Sequence, residues 1–231
     1  MHTTHYPLAF PHHTLHGVDF DATTLRPADL LWLPYPALLN RYGHKRQAEH
    51  LAGRIAAVHA LREVGEKRVP HPGDRGQPLW PAPWFGSISH CDNTALAVVS
   101  HEPVGVDIER LFDCRLAQEL ENSVITPAER LVIAGSDLAF ELALTVVFSA
   151  KESVFKAFSH NALDFPGFFS AQLVNMNASA LTLRLTANFS PKLEDRLILV
   201  TGLNLNQLVK VEKSNYHLYD PRQRSVILFS F

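Results

Sequence analysis

The segment Phe148-Ser149-Ala150-Lys151-Glu152-Ser153-Val154-Phe155-Lys156 lies inside a longer stretch, residues 139–159, whose apolar side chains return every three or four positions. This periodicity predicts a long helix with one apolar face, which must pack against a core. Glu152 and Lys156 are four residues apart, so a helix brings them to one face. Such a pair is typical of a helix surface, and it also fits a carboxylate and an ammonium that act on a phosphate.

A second pair of acids lies upstream. Asp107 and Glu109 are two residues apart at the end of a predicted strand, residues 104–109, so both side chains point to the same face. Carboxylate oxygens are the ligands that a hard cation such as Mg²⁺ prefers. Because 23 acids occur among 231 residues, such a spacing also arises by chance, and two solvated acids would look the same.

A basic stripe lies on another predicted helix, residues 44–64. Arg46, His50 and Arg54 are four residues apart in turn, and therefore share one face of that helix. Gly53 beside them would allow a ligand to approach the helix backbone closely. The stripe predicts a site for a polyanionic small molecule, although a solvated helix face would show the same pattern.

The segment that follows is dominated by proline and glycine. Their density over residues 66–86 predicts a long ordered loop, and loops of that length in compact domains are usually functional. Ser89 and His90 follow this loop, and their hydroxyl and imidazole suit contact with a phosphate. The sequence has no G-x-S-x-G segment, so it does not indicate a hydrolase. Residues 94–100 and 104–109 then predict a β-hairpin.

The rest of the chain alternates helix and strand signals. Thr126-Pro127-Ala128-Glu129 is a capping box that begins a short helix, and Gly135 can end it. Further strands are predicted over residues 15–20, 181–186, 197–200, 208–211 and 226–229. The order indicates an α+β fold of two similar lobes, residues 1–112 and residues 113–231.

Composition limits the classes of function. Hydrophobic residues make up 46% and charged residues 19%, which predicts a globular protein with a core. The net charge of −2 gives no basic field for nucleic acid, so we expect no nucleic-acid partner. Two cysteines, without a signal peptide or a long apolar run, predict a cytoplasmic protein with no transmembrane segment.

Three of these segments, taken together, resemble a known family. Residues 86–91, 105–109 and 148–156 are similar, in order and separation, to the three motifs of the Sfp-type 4′-phosphopantetheinyl transferases. The resemblance covers most of residues 1–160. It implies two α+β lobes related by pseudo-twofold symmetry, which form one functional unit with coenzyme A bound at their interface.

The resemblance also implies a reaction. The 4′-phosphopantetheine arm of coenzyme A would pass to a serine of an apo carrier protein domain (peptidyl, aryl or acyl), with Mg²⁺ as cofactor. The carrier would belong to a nonribosomal peptide synthetase that makes an enterobactin-like siderophore, or the enzyme would accept a broader range of carriers. We expect a monomer in the cytoplasm, loosely associated with the membrane as part of a synthase assembly.

Residue roles follow from position in the motifs. The resemblance implies that Asp107, Glu109 and Glu152 hold Mg²⁺. Glu152 would be the base, directly or through a metal-bound water, and Lys156 would stabilise the leaving phosphate. The residues implied to bind coenzyme A are Arg46, Arg54, Arg75, Ser89, His90, Lys151 and Lys156.

Two alternatives come from other functional classes. A Mg²⁺-dependent nuclease could use Asp107, Glu109 and Lys151, but its lysine would sit on a distant helix of a slightly acidic chain. A noncatalytic carrier-binding protein would leave all three acids idle.

Overall fold

The structure is a computed structural model that describes residues 1–10, 12–160, 166–177, 180–202 and 225–230. It contains both helices and antiparallel sheets, which confirms the predicted α+β class. Residue contacts divide the chain into two compact units, Met1–Val106 and Asp107–Phe231. The boundary predicted at residue 112 and the pseudo-twofold relation of the lobes stay predictions.

Unit 1 consists of a long helix packed on a four-stranded antiparallel sheet. In chain order its elements are β1 (His2–Ala9), β2 (Thr14–Asp21), α1 (His44–Glu63), β3 (His71–Pro72), β4 (Pro78–Leu79), β5 (Phe85–Cys91) and β6 (Thr94–Ser100). The strand order is β1-β2-β6-β5, and α1 packs against β2, β5 and β6. Three short 3₁₀ helices lie between β2 and α1.

Helix α1 ends where the sequence predicts. Gly65 adopts a φ of 82°, its N–H donates to Arg62 O at 3.1 Å, and the N–H of Glu66 donates to Leu61 O at 2.9 Å. Glycine reaches this left-handed conformation without a Cβ penalty, so it closes the helix. Gly53 allows the close approach of a neighbouring strand, since a Cβ there would lie 2.8 Å from Ile88 Cγ2.

The predicted hairpin of residues 94–100 and 104–109 is wrong. Strand β6 pairs with β5 and β2, whereas the next strand, β7 (Gly105–Arg110), belongs to another sheet. Strand β6 instead forms a hairpin with β5, and the turn of this hairpin contains Asp92 at a φ of 52°. The sequence concealed β5 because two serines, Ser87 and Ser89, occupy the buried positions where a strand usually carries apolar residues.

The described part of unit 2 combines a five-stranded sheet with three α-helices. In chain order these elements are β7, α2 (Cys114–Val124), α3 (Pro127–Ala134), α4 (Phe140–Phe158), β8 (Ala171–Met176), β9 (Ala180–Leu185), β10 (Leu197–Gly202) and β11 (Ser225–Ser230). The strand order is β7-β11-β10-β9-β8, and α4 packs against β8 to β11. The boundary between the two units falls within β7.

The local signals in unit 2 were informative. Thr126 Oγ1 accepts from Glu129 N at 3.3 Å and Thr126 N donates to Glu129 Oε2 at 2.7 Å, so the capping box is confirmed. Three predicted strands correspond to β9, β10 and β11, while the strand predicted over residues 208–211 lies outside the described residues. Across the described ranges, none of the helices is long and apolar enough to span a bilayer.

Three histidines of unit 1 stack on one another. The rings of His5 and His59 have centroids 3.6 Å apart, and His5 Nε2 lies 3.0 Å from His16 Nδ1. His16 Nε2 lies 2.8 Å from Glu63 Oε2. Burial and the two neighbouring rings lower the pKa of His5 to about 4. Burial likewise lowers the pKa of His16 against the effect of Glu63, and that of His59 with help from His16 and Arg62.

We expect this stack to make stability depend on pH. A histidine whose pKa is lowered by folding takes up protons more readily when unfolded, so its contribution is complete above its ordinary pKa of 6.5 and is lost as the pH falls toward the folded value. The thermal unfolding midpoint should therefore be lower at pH 4.5 than at pH 7. His5→Phe keeps a stacking ring that cannot be protonated and should reduce this difference; an undiminished difference would contradict the prediction.

Candidate active site

The acidic pair predicted on β7 lies in unit 2, next to helix α4. Asp107 is buried and Glu109 is partly buried. Asp107 receives two hydrogen bonds from α4: Ser149 Oγ donates to Oδ2 at 2.6 Å, and Lys156 Nζ donates to Oδ1 at 2.5 Å. One strand and one helix therefore bring Asp107 and Lys156 into direct contact, as the two motifs predict for a single site.

Glu109 and Glu152 belong to the same electrostatic cluster. Burial raises the pKa of Glu109, the charges of Asp107 and Glu152 raise it further, and Lys156 acts against them. Burial also raises the pKa of Glu152, where Lys156 opposes the shift and Asp107 adds to it. Three carboxylates and one ammonium therefore influence one another, and we call these four residues the acidic cluster.

The donor chemistry of the acidic cluster fits a hard divalent cation. Fully ionised, three carboxylates and one ammonium leave two negative charges, which a dication would balance, and all the donor atoms are oxygens. Within the residues that the structure describes, no group of three or more His, Cys, Asp or Glu side chains is arranged to hold a metal. The oxygens of Asp107 instead contact Ser149 and Lys156, so Lys156 supplies the positive charge beside it.

Unit 1 carries the predicted basic stripe on α1. Arg46 Nη1 lies 2.5 Å from His90 Nε2 of β5 and 3.4 Å from Glu49 Oε2. Burial, followed by the charges of Arg54, Arg46 and His90, lowers the pKa of His50 to about 3. His50 is therefore neutral near pH 7. Arg46 and Arg54 then carry the positive charge of the stripe.

Arg54 is the most unusual member of the stripe. Its side chain is buried, and its Nε donates to Tyr35 Oη and to Pro70 O, each at 2.9 Å. Its Nη2 is also buried and has no hydrogen-bond partner among the described residues. Burial lowers the pKa of Arg54, and Arg46 contributes in the same direction while Tyr35 opposes it. A buried guanidinium with an unpaired donor is suited to an anionic ligand.

Comparison with known proteins decides the family. Residues 35–100 match the 4′-phosphopantetheinyl transferase N-terminal domain, and residues 103–202 match the 4′-phosphopantetheinyl transferase superfamily. The chain belongs to the 4′-phosphopantetheinyl transferase superfamily. The transferase is therefore an enzyme that uses coenzyme A as substrate, and the nuclease and noncatalytic alternatives are not supported.

Individual relatives agree with this assignment. The transferase is 54% identical over 198 residues to enterobactin synthase component D of Salmonella typhi, an overlap of 86% of this chain and 84% of the relative. It is 55% identical over 177 residues to enterobactin synthase component D of Escherichia coli K12, covering 77% and 85%. It is 33% identical over 163 residues to 4′-phosphopantetheinyl transferase Npt of Nocardia iowensis, covering 68% and 72%. The likeness to enterobactin synthase component D that the motifs indicate is thus confirmed.

Lys151 occupies a different place from the one its motif implied. Its Nζ donates to Val124 O at 2.8 Å and to Glu129 Oε1 at 2.6 Å, and both side chains of the ion pair are 2% exposed. Glu129 also accepts from the N–H groups of Leu173 and Thr126, each at 2.7 Å. The structure does not bring Lys151 to the acidic cluster, so we assign it to the core of unit 2 and leave it out of the proposed coenzyme A site.

The other predicted coenzyme A residues of this transferase lie in two places within unit 1. Ser89 is buried and stands next to His90 on β5. Arg75 is exposed on the turn between β3 and β4, where Gly76 has a φ of 82°. Ser89 therefore lies beside His90, which contacts Arg46 of the basic stripe, whereas Arg75 lies on an exposed turn of the proline-rich segment.

Two residues of the candidate site were missed in the sequence. Ser149 lies three residues before Glu152 and seven before Lys156, so the helical repeat places all three on one face and could have revealed it. Tyr35 lies in a proline-rich segment between two 3₁₀ helices, and no periodic signal in the sequence points from it to Arg54.

Proposed function

We propose that this transferase activates the carrier domains of a nonribosomal peptide synthetase that makes a siderophore, and that the reaction requires Mg²⁺. The relatives named enterobactin synthase component D support the pathway, since they match more than three quarters of the chain. The observation that carries the chemistry is the contact of Asp107 with Ser149 and Lys156 in the acidic cluster.

We assign the acidic cluster to the reacting phosphate. Asp107, Glu109 and Glu152 would hold Mg²⁺, which would supply charge neutralisation on the pyrophosphate of coenzyme A. Ser149 fixes the orientation of the Asp107 carboxylate by donating to Oδ2. Lys156 Nζ donates to Asp107 Oδ1, and it would likewise donate to an oxygen of the leaving phosphate. Glu152 is one helical turn from Lys156 and is our candidate for the base.

The bond changes are those of a phosphoryl transfer. The carrier serine oxygen forms a bond to the β-phosphorus of coenzyme A, while the bond between that phosphorus and the bridging oxygen breaks. The serine proton passes to Glu152, and 3′,5′-ADP leaves with the electron pair of the broken bond. Lys156 would stabilise the charge that develops on this leaving group.

The basic stripe is proposed to bind the nucleotide. Arg46 and Arg54 supply guanidinium groups suited to bidentate phosphate contacts, and His90 lies against Arg46. Ser89 contributes a hydroxyl on the same strand as His90, and Arg75 is kept as a proposed contact from its exposed turn. The Nη2 of Arg54, which has no partner among the residues described, supports this proposal most directly.

Further features stay proposals. We propose two similar lobes on the observation that each unit packs one long helix, α1 or α4, against a sheet of four or five strands. We also propose a monomer that works in the cytoplasm, loosely associated with the membrane through a synthase assembly.

Mass spectrometry of carrier proteins tests the proposed function. The enzyme, coenzyme A and Mg²⁺ should add the phosphopantetheine mass to the serine of a siderophore carrier domain, and EDTA should slow the reaction by more than about 100-fold, since a metal contributes several kcal/mol. A fatty-acid acyl carrier protein serves as the comparison substrate. Equal rates on both carriers would favour the broader specificity, and full activity in EDTA would contradict the Mg²⁺ requirement.

A further inference from the structure

The guanidinium of Arg54 is held along one edge only. Tyr35 Oη and Pro70 O both accept from Nε at 2.9 Å, and Tyr35 Oη itself donates to Pro70 O at 3.0 Å. The three groups form a closed triangle of hydrogen bonds in which the hydroxyl bridges the arginine and the carbonyl. Because a guanidinium is planar, fixing the direction of the Nε–H also fixes the direction in which the two terminal nitrogens point.

The opposite edge has no such support. Within the residues that the structure describes, Nη2 has no hydrogen-bond partner, and the two acceptors of Nε are an uncharged hydroxyl and an uncharged carbonyl. Burying a charged group without a counter-charge is costly, so a chain that needed Arg54 for packing alone would be more stable with an apolar residue there. An anionic ligand at Nη2 removes that conflict.

The ring of Tyr35 has packing contacts of its own, and its hydroxyl also lies 3.3 Å from His50 Nε2. It lies edge-on to His50, with ring centroids 5.8 Å apart, and tilted on His71 at 4.8 Å. Tyr35 is 7% exposed, so this packing occurs inside unit 1. Removing only the hydroxyl would therefore leave the aromatic packing in place, and Arg54 Nε would lose one of its two acceptors while keeping Pro70 O.

We propose that Tyr35 is a positioning residue, which orients Arg54 so that Nη2 can bind a phosphate group of coenzyme A. The inference rests on the proposed function of the basic stripe and adds a residue that lies outside all three motifs. Tyr35 acts through Arg54, so it should govern affinity for coenzyme A and leave the chemical step alone.

Tyr35→Phe tests this by separating binding from turnover. We expect the Kd for coenzyme A, measured by calorimetry, to rise roughly 5- to 10-fold, because Arg54 keeps Pro70 O as an acceptor but loses the hydroxyl that helps to fix the direction of its guanidinium. kcat at saturating coenzyme A should stay within about 2-fold, because the acidic cluster is untouched. The same variant is then measured with 3′-dephospho-coenzyme A. If Tyr35→Phe weakens binding of coenzyme A but not of the dephospho ligand, Arg54 contacts the 3′-phosphate. If it weakens binding of both ligands equally, Arg54 contacts the pyrophosphate.

Two further variants make the result specific. Tyr42→Phe is the matched control, because Tyr42 Oη also accepts from an arginine, Arg41, but at the surface at 2.9 Å, and its Kd should not change. In an Arg54→Lys background, Tyr35→Phe should raise the Kd for coenzyme A little further, since Tyr35 acts through Arg54. An unchanged Kd in Tyr35→Phe, or an equal added cost in both backgrounds, would overturn the inference. Failure of the wild-type enzyme to bind coenzyme A would overturn the proposed function instead.

Discussion

Asp107→Asn should reduce the kcat for phosphopantetheine transfer by more than about 100-fold and leave the thermal unfolding midpoint nearly unchanged. Asparagine keeps the shape of the side chain and can still accept from Ser149, but it removes one of the three negative charges of the acidic cluster. The metal would then be held more weakly, and Lys156 would lose the carboxylate that it contacts. Initial rates at saturating coenzyme A and carrier, with calorimetric unfolding, measure both effects.

The small effect on stability has a physical reason. Lys156 is partly exposed, so its ammonium can turn to water when a neutral amide replaces the Asp107 carboxylate, and the substitution leaves no buried unpaired charge. The change also removes repulsion, because Asp107 raises the pKa of both Glu109 and Glu152. These two effects oppose each other, so the loss of activity should not come from unfolding.

Asp113→Asn provides the matched control for this variant. Asp113 makes the same acid-to-amide change possible outside the cluster, since its side chain accepts from Leu116 N at 2.8 Å and caps helix α2. Asparagine caps helices about as well, so both transfer and stability should match the wild type. If Asp107→Asn turned over as fast as Asp113→Asn, the metal assignment to Asp107 would be wrong.

Local sequence signals predicted much of the fold. Gly65 ends α1 and the Thr126 capping box begins α3, because backbone requirements at helix ends are met by nearby residues in the chain. Strand pairing was predicted less well, since it depends on distant residues. Neither β1 nor β5 was predicted as a strand, and β5 carries two serines at its buried positions.

The site shows the same division. The resemblance implied that Asp107 and Lys156 serve one reaction, and the structure brings their side chains into contact, while their roles stay predictions. Lys151 was misplaced because adjacent helical residues point about 100° apart, and the motif gives no sign of which one faces the core. Glu129 lies 22 residues from its partner Lys151 in sequence, and Tyr35 lies 19 residues from its partner Arg54. Periodic patterns do not reveal contacts over such separations.

Lys151→Met should lower the free energy of unfolding by about 3–5 kcal/mol, as for a buried ion pair that loses one partner. Methionine fills a similar volume, but Glu129 would then remain buried with only two backbone N–H donors and no counter-charge. At about 2–4 °C per kcal/mol for a protein of this length, the unfolding midpoint should fall by roughly 6–20 °C. Differential scanning calorimetry and urea titration measure the loss.

Glu129→Gln tests the same pair from the other side, through pH. Burial already lowers the pKa of Lys151, while Glu129 opposes that shift. Without the carboxylate, Lys151 would hold its proton less firmly in the folded state than in the unfolded state, so the variant should regain stability as the pH rises from 7 toward 10. Lys151→Met has no such amine and should show no matching recovery. Equal pH dependence in the two variants would show that Lys151 is not a buried charge.

Coenzyme A binding by Lys151→Met then distinguishes a core residue from a ligand contact. Below its unfolding transition, the variant should bind coenzyme A with a Kd within about 2-fold of the wild type, because Lys151 Nζ is occupied by Val124 O and Glu129 in the core. A residue that contacts a phosphate would instead cost 1.5–3 kcal/mol as a charged hydrogen bond, or at least about 10-fold in Kd. A loss of that size in the folded variant would restore Lys151 to the coenzyme A site.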